Sequence, residues 1–543
     1  GVAARLPGGR TVLQGIFAVF KPGTVSAVLG PSGSGKTTFL EVLAGRSQAM
    51  PTAGRHWLSC HTHQLSPKER RRIAAFLPQV DILQETDTVR EALLFSARSR
   101  LPGATPAAID DRVNTVLADL RLTAVADSRI GSPLGLFRGL SGGERRRVAL
   151  GVELVADARV LFLDEVTSGL DSFTVDAIMG VLHRQARESG ATVVLSIHQP
   201  TLKLFRQFDS VCVLGTGGTM AFVGSPADAV QHFGEVQVGA LKAVIPAAGM
   251  PGNADVEERD LPWRNPAEDI LEAVSGEAAS TAAVAFASSR HMKTVVAQVK
   301  SSAPVAPMAP LEVFAPVWPS PVRVYYLLVG RGLREAWRNP TLALVQLVLT
   351  VIVGLVVGAS FYDVSTDLEG IQNRTGALFF SVLYFVMAAS SSLPVFIASK
   401  RLYLHERFTG AGPLPYFLSR LVSDILPLRV MPPILYGLIV YHMVGLHSGL
   451  DNVATFLLTL MLCNLAAVAL CVFIGSVASQ VSVANLVASL FFVFNILFGG
   501  LLLTARNTLL EVVMYGSLVN QAWTALMVNE FEDVEGLQFN PQD

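Results

Sequence analysis

The chain has 543 residues, more than one ordinary hydrophobic core accommodates, so roughly two to four domains are expected. Hydrophobic residues make up 51% and charged residues 16%, against about 25% charged in an average soluble protein, and the mean hydropathy is +0.46. This balance excludes a wholly soluble chain, and the net charge of -1 lacks the basic footprint of a nucleic-acid binder, so no nucleic-acid partner is expected.

Four cysteines, Cys60, Cys212, Cys463 and Cys471, are too sparse for a disulfide framework and are read as reduced thiols. Residues 1–30 show no basic start, apolar run and small-residue cleavage site, which places the first domain in the cytosol. Because the chain begins at Gly1 rather than methionine, its true start is expected to be missing.

Up to residue 235, short β-rich runs (VSAVLG, RRIAAFL, VLFLDE, TVVLSIHQP, SVCVLG) alternate with helical stretches, the pattern of an α/β domain. Residues 236–320 are rich in Ala, Pro, Val and Ser and read as a partly disordered linker, since repeated prolines oppose regular structure. Within it, Asn265 and Pro266 are placed as cap and first residue of a short helix near 265–275.

From 322 to 338, Val322, Tyr326, Val329, Leu333 and Trp337 recur at helical spacing between Arg323, Arg331, Arg334 and Arg338. That is the pattern of a helix lying on a membrane surface, or of an amphipathic helix on a soluble core. Beyond it, apolar runs at about 342–362, 376–398, 425–446, 453–479 and 481–503 are long enough for a bilayer span, which requires roughly 20 residues. The third is interrupted by Arg429 and by Pro432 and Pro433; Arg429 either snorkels to the cytoplasmic surface or lines a polar interior, and its place near one end favours snorkelling. Arg331, Arg334 and Arg338 before the first span, and Lys400, Arg401, Arg407 and Arg420 between the second and third, mark cytoplasmic sides. The loop holding Asp363, Asp367 and Glu369 then faces outward.

The chemistry is concentrated in the first domain. The segment Gly30, Pro31, Ser32, Gly33, Ser34, Gly35, Lys36, Thr37, Thr38 is a P-loop, directly after an apolar strand and before a helical run. Its glycines let backbone N–H groups face phosphate oxygens, Lys36 supplies charge to the β- and γ-phosphates of ATP, and Thr37 is a ligand for Mg²⁺. The strand VLFLDE ends in Asp164, a holder of Mg²⁺, and Glu165, which orients or deprotonates an attacking water. A buried strand ending in a surface acidic pair is the bland reading of VLFLDE; the P-loop upstream argues against it. His56, Cys60, His61 and His63 have spacing that suggests zinc but lack a second ligand pair, so no zinc site is assigned.

Between the two motifs, LSGGERRR (140–147) resembles the signature of ATP-binding-cassette proteins. The resemblance implies cassettes meeting head to tail, with Ser141, Gly142, Gly143 and Glu144 closing over ATP held by the partner's P-loop. It also implies a Q-loop role for Gln79, sensing Mg²⁺, a D-loop role for Asp171 in SGLDS, and a γ-phosphate contact for His198 in LSIHQP. No aromatic residue that stacks on adenine is located.

The cassette-first order, with TSGLDS, SIHQP, NPAEDILEAVSG, GIQNRTGALFF, the HER at 405–407 and the NEF at 529–531, resembles the G subfamily of these transporters, the White pigment-transporter and multidrug-exporter type. Val166 stands where the family usually carries proline, which is expected only to loosen the turn. The implied architecture is an α/β P-loop cassette (1–235) followed by an all-α polytopic membrane domain (321–543). The implied activity is ATP-driven export of a lipid, sterol or other hydrophobic small molecule by a homodimer or heterodimer of half-transporters. The family has six spans, and the sequence ends before a sixth, so it is expected to be a truncated half. Two other classes compete: a soluble cassette ATPase of DNA repair or translation, which the apolar runs oppose, and an ATP-binding regulatory or scaffolding subunit that does not pump, which the presence of Lys36, Asp164, Glu165 and His198 opposes.

Overall fold

The computed structural model describes residues 2–5, 11–46, 50–53, 73–131, 139–234, 265–276, 278–301, 319–365, 367–407, 412–478, 480–501 and 508–531. The considered zinc ligands His56, Cys60, His61 and His63 lie outside these. The chain divides into two compact units, the first holding residues 1–320 and the second 321–407 and 411–543.

The first unit is built on a nine-stranded sheet. Its strands are β1 (Val2–Arg5), β2 (Thr11–Ile16), β3 (Val25–Leu29), β4 (Met50–Ala53), β5 (Ala74–Leu77), β6 (Val160–Leu163), β7 (Thr192–Ser196), β8 (Ser210–Gly215) and β9 (Thr219–Gly224), in the order β4-β1-β2-β9-β8-β3-β7-β6-β5. The run β8-β3-β7-β6-β5 is parallel throughout. Every residue of β3, β5 and β6 is buried, which is why these strands read as unbroken apolar runs and not as alternating ones.

Around the sheet pack α1 (Lys36–Ala44), α2 (Val89–Arg100), α3 (Pro106–Asp119), α4 (Gly142–Leu154) and α5 (Ser172–Ser189). Local chemistry starts them. Thr88 and Ser141 each close a capping box with a glutamate three residues on, and Thr105 and Asp171 cap α3 and α5. The expected linker helix is α6 (Pro266–Ala273), capped by Asn265 with Pro266 at its first position.

Two further helices, α7 (Ala278–Ser288) and α8 (Arg290–Ser301), stand where disordered linker was expected. The cause is tertiary: Ala279, Ala282 and Phe286 are buried, and the Phe286 ring meets Phe222 of β9 edge-on. Although apolar, α6 and α7 are bent by 100° to one another, and this burial in the core assigns them to the cassette and not to a membrane span.

The second unit is helical: α9 (Pro321–Arg338), α10 (Thr341–Ser360), α11 (Leu368–Ala388), α12 (Ser392–Glu406), α13 (Pro413–Arg420), α14 (Leu426–Val444), α15 (Leu450–Val477), α16 (Val481–Leu497), α17 (Thr508–Tyr515) and α18 (Leu518–Phe531). In α9 the buried stripe is Val324, Leu328, Arg331 and Gly332, while Val322, Tyr326, Leu333 and Trp337 are exposed. Arg331 forms a two-armed ion pair with Glu406 of the HER segment, at 2.5 and 2.7 Å, both side chains nearly buried.

Among the described residues four helical stretches are long and apolar enough to cross a membrane: Thr341–Ser360, Leu368–Glu406, Pro413–Val444 and Leu450–Val477. The expected fifth span is a 17-residue helix, α16, about 25 Å long at 1.5 Å per residue and so shorter than a roughly 30 Å hydrocarbon core. Small residues set the packing of α10 on α14. Gly354 lies against Tyr436 and Ile439, and a Cβ on Gly358 would stand 2.7 Å from Met443 Sδ.

The expected snorkelling of Arg429 is overturned. It is 4% exposed, its Nη1 donates to Ser391 Oγ at 3.1 Å, and its backbone carbonyl accepts from Asn464 Nδ2 at 2.8 Å. Position along the chain placed it near a helix end, whereas rotation of α14 aims its guanidinium inward at Ser391, between α11 and α12. Cys212, Cys463 and Cys471 are free and buried, in keeping with reduced thiols.

Candidate functional site

The sheet order brings the motifs together. The strands β3, β7, β6 and β5 are adjacent and parallel, so the segments leaving their C-terminal ends lie side by side, the usual place for ligand sites in such sheets. These segments carry, in spatial order, the P-loop, Ser196 and His198, the pair Asp164 and Glu165, and Gln79.

In the P-loop, Gly33 and Gly35 take φ of 78° and 88° in the left-handed region. Gly30 has no room for a side chain, since a Cβ there would come within 2.4 Å of the Leu214 carbonyl oxygen. The loop is closed by the Ser34 N–H donating to Pro31 O at 3.2 Å. Lys36 is 6% exposed and its ammonium donates to the carbonyls of Gly30 (2.8 Å) and Pro31 (3.0 Å), curled within the loop. Burial lowers its pKa from the ordinary lysine value, opposed by the nearby carboxylates of Glu165 and Asp164.

Across the loop, Thr37 Oγ1 donates to Asp164 Oδ2 at 2.7 Å, and Ser196 Oγ donates to Asp164 Oδ1 at 2.5 Å. The same Ser196 oxygen accepts from the Glu165 N–H at 2.9 Å. Gln79 Nε2 donates to Glu165 Oε2 at 3.0 Å. Glu165 adopts φ 48°, in the left-handed region that non-glycine residues seldom enter. Val166 is fully buried.

Several other motif residues are exposed. Ser141, Gly142 and Asp171 are exposed, at the N-termini of α4 and α5, and His198 is exposed beyond β7. Ser141 Oγ and the Glu144 carboxylate are bonded to each other, and this pairing lowers the Glu144 pKa from its ordinary value. Asp171 accepts from the N–H and hydroxyl of Thr174, which lowers its pKa too. Among the described residues no hydrogen bond joins Ser141, Gly142, Gly143 or Glu144 to the P-loop.

The donor set fits a magnesium nucleotide. Thr37 and Asp164 present hard oxygen ligands beside a glycine cradle, and Ser34 Oγ in that cradle is buried with no hydrogen-bond partner. The sequence reading missed Ser196, a polar residue ending an otherwise apolar strand, and Arg146, the middle arginine of the signature. The signal available for Ser196 was a hydroxyl in TVVLS; Arg146, flanked by Arg145 and Arg147, offered none.

These features define an ATP-binding cassette carried on one chain with a helical membrane domain. The ABC transporter family matches residues 13–168, and the ABC-2 type transporter membrane family matches residues 323–531. The chain is 32% identical to the "Broad substrate specificity ATP-binding cassette transporter ABCG2" of Rattus norvegicus, over 98% of this chain and 82% of that protein. It is 30% identical to "ABC transporter G family member 7" of Arabidopsis thaliana, over 98% and 72% respectively. The chain therefore belongs to the G family of ATP-binding-cassette transporters. It is an integral membrane protein that couples ATP hydrolysis to movement of a substrate across a membrane.

Proposed function

We propose that this chain is a half-transporter which pairs with a second copy, or with a related chain, to export a lipid, sterol or other hydrophobic small molecule. The observation that carries the pairing is the split between the two groups of ATP-site residues. Lys36, Thr37, Gln79, Asp164 and Glu165 are gathered by the sheet, while Ser141, Gly142, Gly143 and Glu144 are displayed on an exposed helix start with no bond to that group. A second cassette facing the first supplies each set with its complement.

In this reading the P-loop backbone, from Gly30 through Thr38, receives the ATP phosphates and Lys36 swings from the Gly30 and Pro31 carbonyls to the β- and γ-phosphates. Thr37, Asp164 and Gln79 would hold Mg²⁺, which when bound neutralises phosphate charge. Glu165 orients and deprotonates the attacking water, His198 contacts the γ-phosphate, and Asp171 lines the cassette interface. Closure of the cassettes moves the membrane helices, with α9 and the HER segment, joined through Arg331 and Glu406, moving as one piece. The exposed stripe of Val322, Tyr326, Leu333 and Trp337 suits a membrane surface, with the cassette and the Arg-rich segments on the cytoplasmic side.

The test is reconstitution of the full chain in proteoliposomes, with ATPase and uptake measured against sterols, phospholipids and planar drugs. Stimulated hydrolysis together with ATP-dependent accumulation is expected for at least one class. Nucleotide binding without turnover under all conditions would replace this reading with that of a regulatory subunit.

A further inference from the structure

We infer that Arg146 is a positioning residue that couples the two ATP sites of the assembled transporter. This rests on the shared-site reading above. Arg146 projects from α4, five residues beyond Ser141, and is 5% exposed. Its Nη1 donates to the Pro78 carbonyl (2.9 Å), the Gln79 carbonyl (3.3 Å) and Asp81 Oδ1 (2.6 Å). Its Nη2 donates to the carbonyls of Asp164 (2.6 Å) and Glu165 (3.2 Å). One guanidinium therefore spans three chain segments: the signature helix, the Q-loop, and the end of the acidic strand.

These segments serve different nucleotides. Gln79, Asp164 and Glu165 act on ATP held by this chain's own P-loop, whereas Ser141 at the start of α4 acts on ATP held by the other protomer. About 7.5 Å of continuous helix separates Ser141 from Arg146, so a shift of the helix start is carried to the guanidinium. From there it reaches the peptide of Glu165, whose φ of 48° leaves little tolerance. Only a planar fork with donors on two edges meets acceptors on both sides at once; a lysine ammonium reaches one. The flanking arginine does not substitute, because Arg145 Nη1 donates elsewhere, to the Gly131 carbonyl at 2.5 Å.

The test uses mixed dimers of the full chain with Glu165→Gln in one protomer. Hydrolysis then survives only at the site combining the unmodified protomer's glutamate with the altered protomer's Ser141. Adding Arg146→Met to the Glu165→Gln protomer should lower the surviving kcat about tenfold while the KM for ATP stays within about twofold, as for a misplaced group that touches no substrate. Surviving kcat within about twofold of the parent dimer would overturn the coupling. Where methionine lowers the folded yield, Arg146→Lys replaces it, with a loss of about threefold expected and an unchanged kcat refuting. Ser141→Arg is the control for sharing itself. It should abolish the surviving turnover from the Glu165→Gln protomer and not from the other. The reverse pattern, or equal effects, would refute the shared sites and the coupling together. The expected control with a silent Arg146→Met refutes the coupling alone.

Discussion

Replacing Ser196 by alanine tests whether Asp164 and Glu165 are held by the neighbouring strand. Ser196 is fully buried, donates to Asp164 Oδ1 at 2.5 Å and accepts from the Glu165 N–H at 2.9 Å. The substitution removes a hydrogen bond to a carboxylate, worth about 1.5–3 kcal/mol, and leaves a backbone donor unpaired at a further cost of about 1–3 kcal/mol. Thr37 holds the other Asp164 oxygen in both forms, so the expected loss is about 2.5–6 kcal/mol. For a cassette of this size that lowers the melting temperature by roughly 5–24 °C. Freed at its N–H, the Glu165 peptide relaxes from positive φ, and kcat should fall about tenfold or more with nucleotide affinity changed much less. Thermal unfolding with and without Mg-ATP, beside steady-state hydrolysis, measures both. A variant melting within about 2 °C of the parent with kcat within about twofold would show that the serine does not position the acidic pair.

Other consequences are equally direct. Glu165→Gln should abolish turnover and leave ATP binding intact by nucleotide titration; unchanged turnover would remove Glu165 from the reaction. Gly30→Ala places a Cβ 2.4 Å from a backbone carbonyl and should yield a cassette that neither folds fully nor binds ATP, whereas normal binding would mean that the β3 end yields. Arg331→Leu should destabilise the membrane domain by about 3–5 kcal/mol, because it removes both arms of a nearly buried ion pair with Glu406. A variant melting within about 2 °C of the parent would contradict that account. The Glu144 carboxyl titrates below its ordinary 4.5 because it accepts from Ser141. Its contribution is therefore complete above that value and lost as pH falls through the lowered pKa, so the stability advantage over Glu144→Ala should shrink on acidification.

What the sequence disclosed depended on whether the determining interaction is local. The parallel strands announced themselves because burial on both faces makes them continuous apolar runs, and the P-loop because phosphate binding requires its glycines at fixed spacing within one short segment. Ser196 was hidden because its partners, Asp164 and Glu165, are neighbours only across β6 and β7, a pairing that follows from register and not from spacing. The same holds for Arg146, indistinguishable in ERRR from the arginines on either side. For Arg429, apolar periodicity located the span, but the rotation of α14 that aims the guanidinium at Ser391 is set by packing on α10 and α15. The helices α7 and α8 escaped notice because their order comes from docking on Phe222, not from a local pattern strong enough to declare itself.

The arrangement around Glu165 shows why such non-local contacts gather at the proposed reacting centre. A glutamate at φ 48° costs of order 1–3 kcal/mol and persists only where surroundings hold it. Here its N–H is held by Ser196 from β7, its carbonyl by Arg146 from α4, its carboxylate by Gln79 from the Q-loop, and the next residue, Val166, is anchored by complete burial. A proline at 166 would restrict the backbone covalently; with valine there, the restriction falls to these neighbours. Gln79 is suited to the proposed role because its amide donates to Glu165 through nitrogen and keeps an oxygen that would ligate a hard cation such as Mg²⁺. The carboxylate is thus oriented by contacts drawn from three separate segments, β7, α4 and the Q-loop.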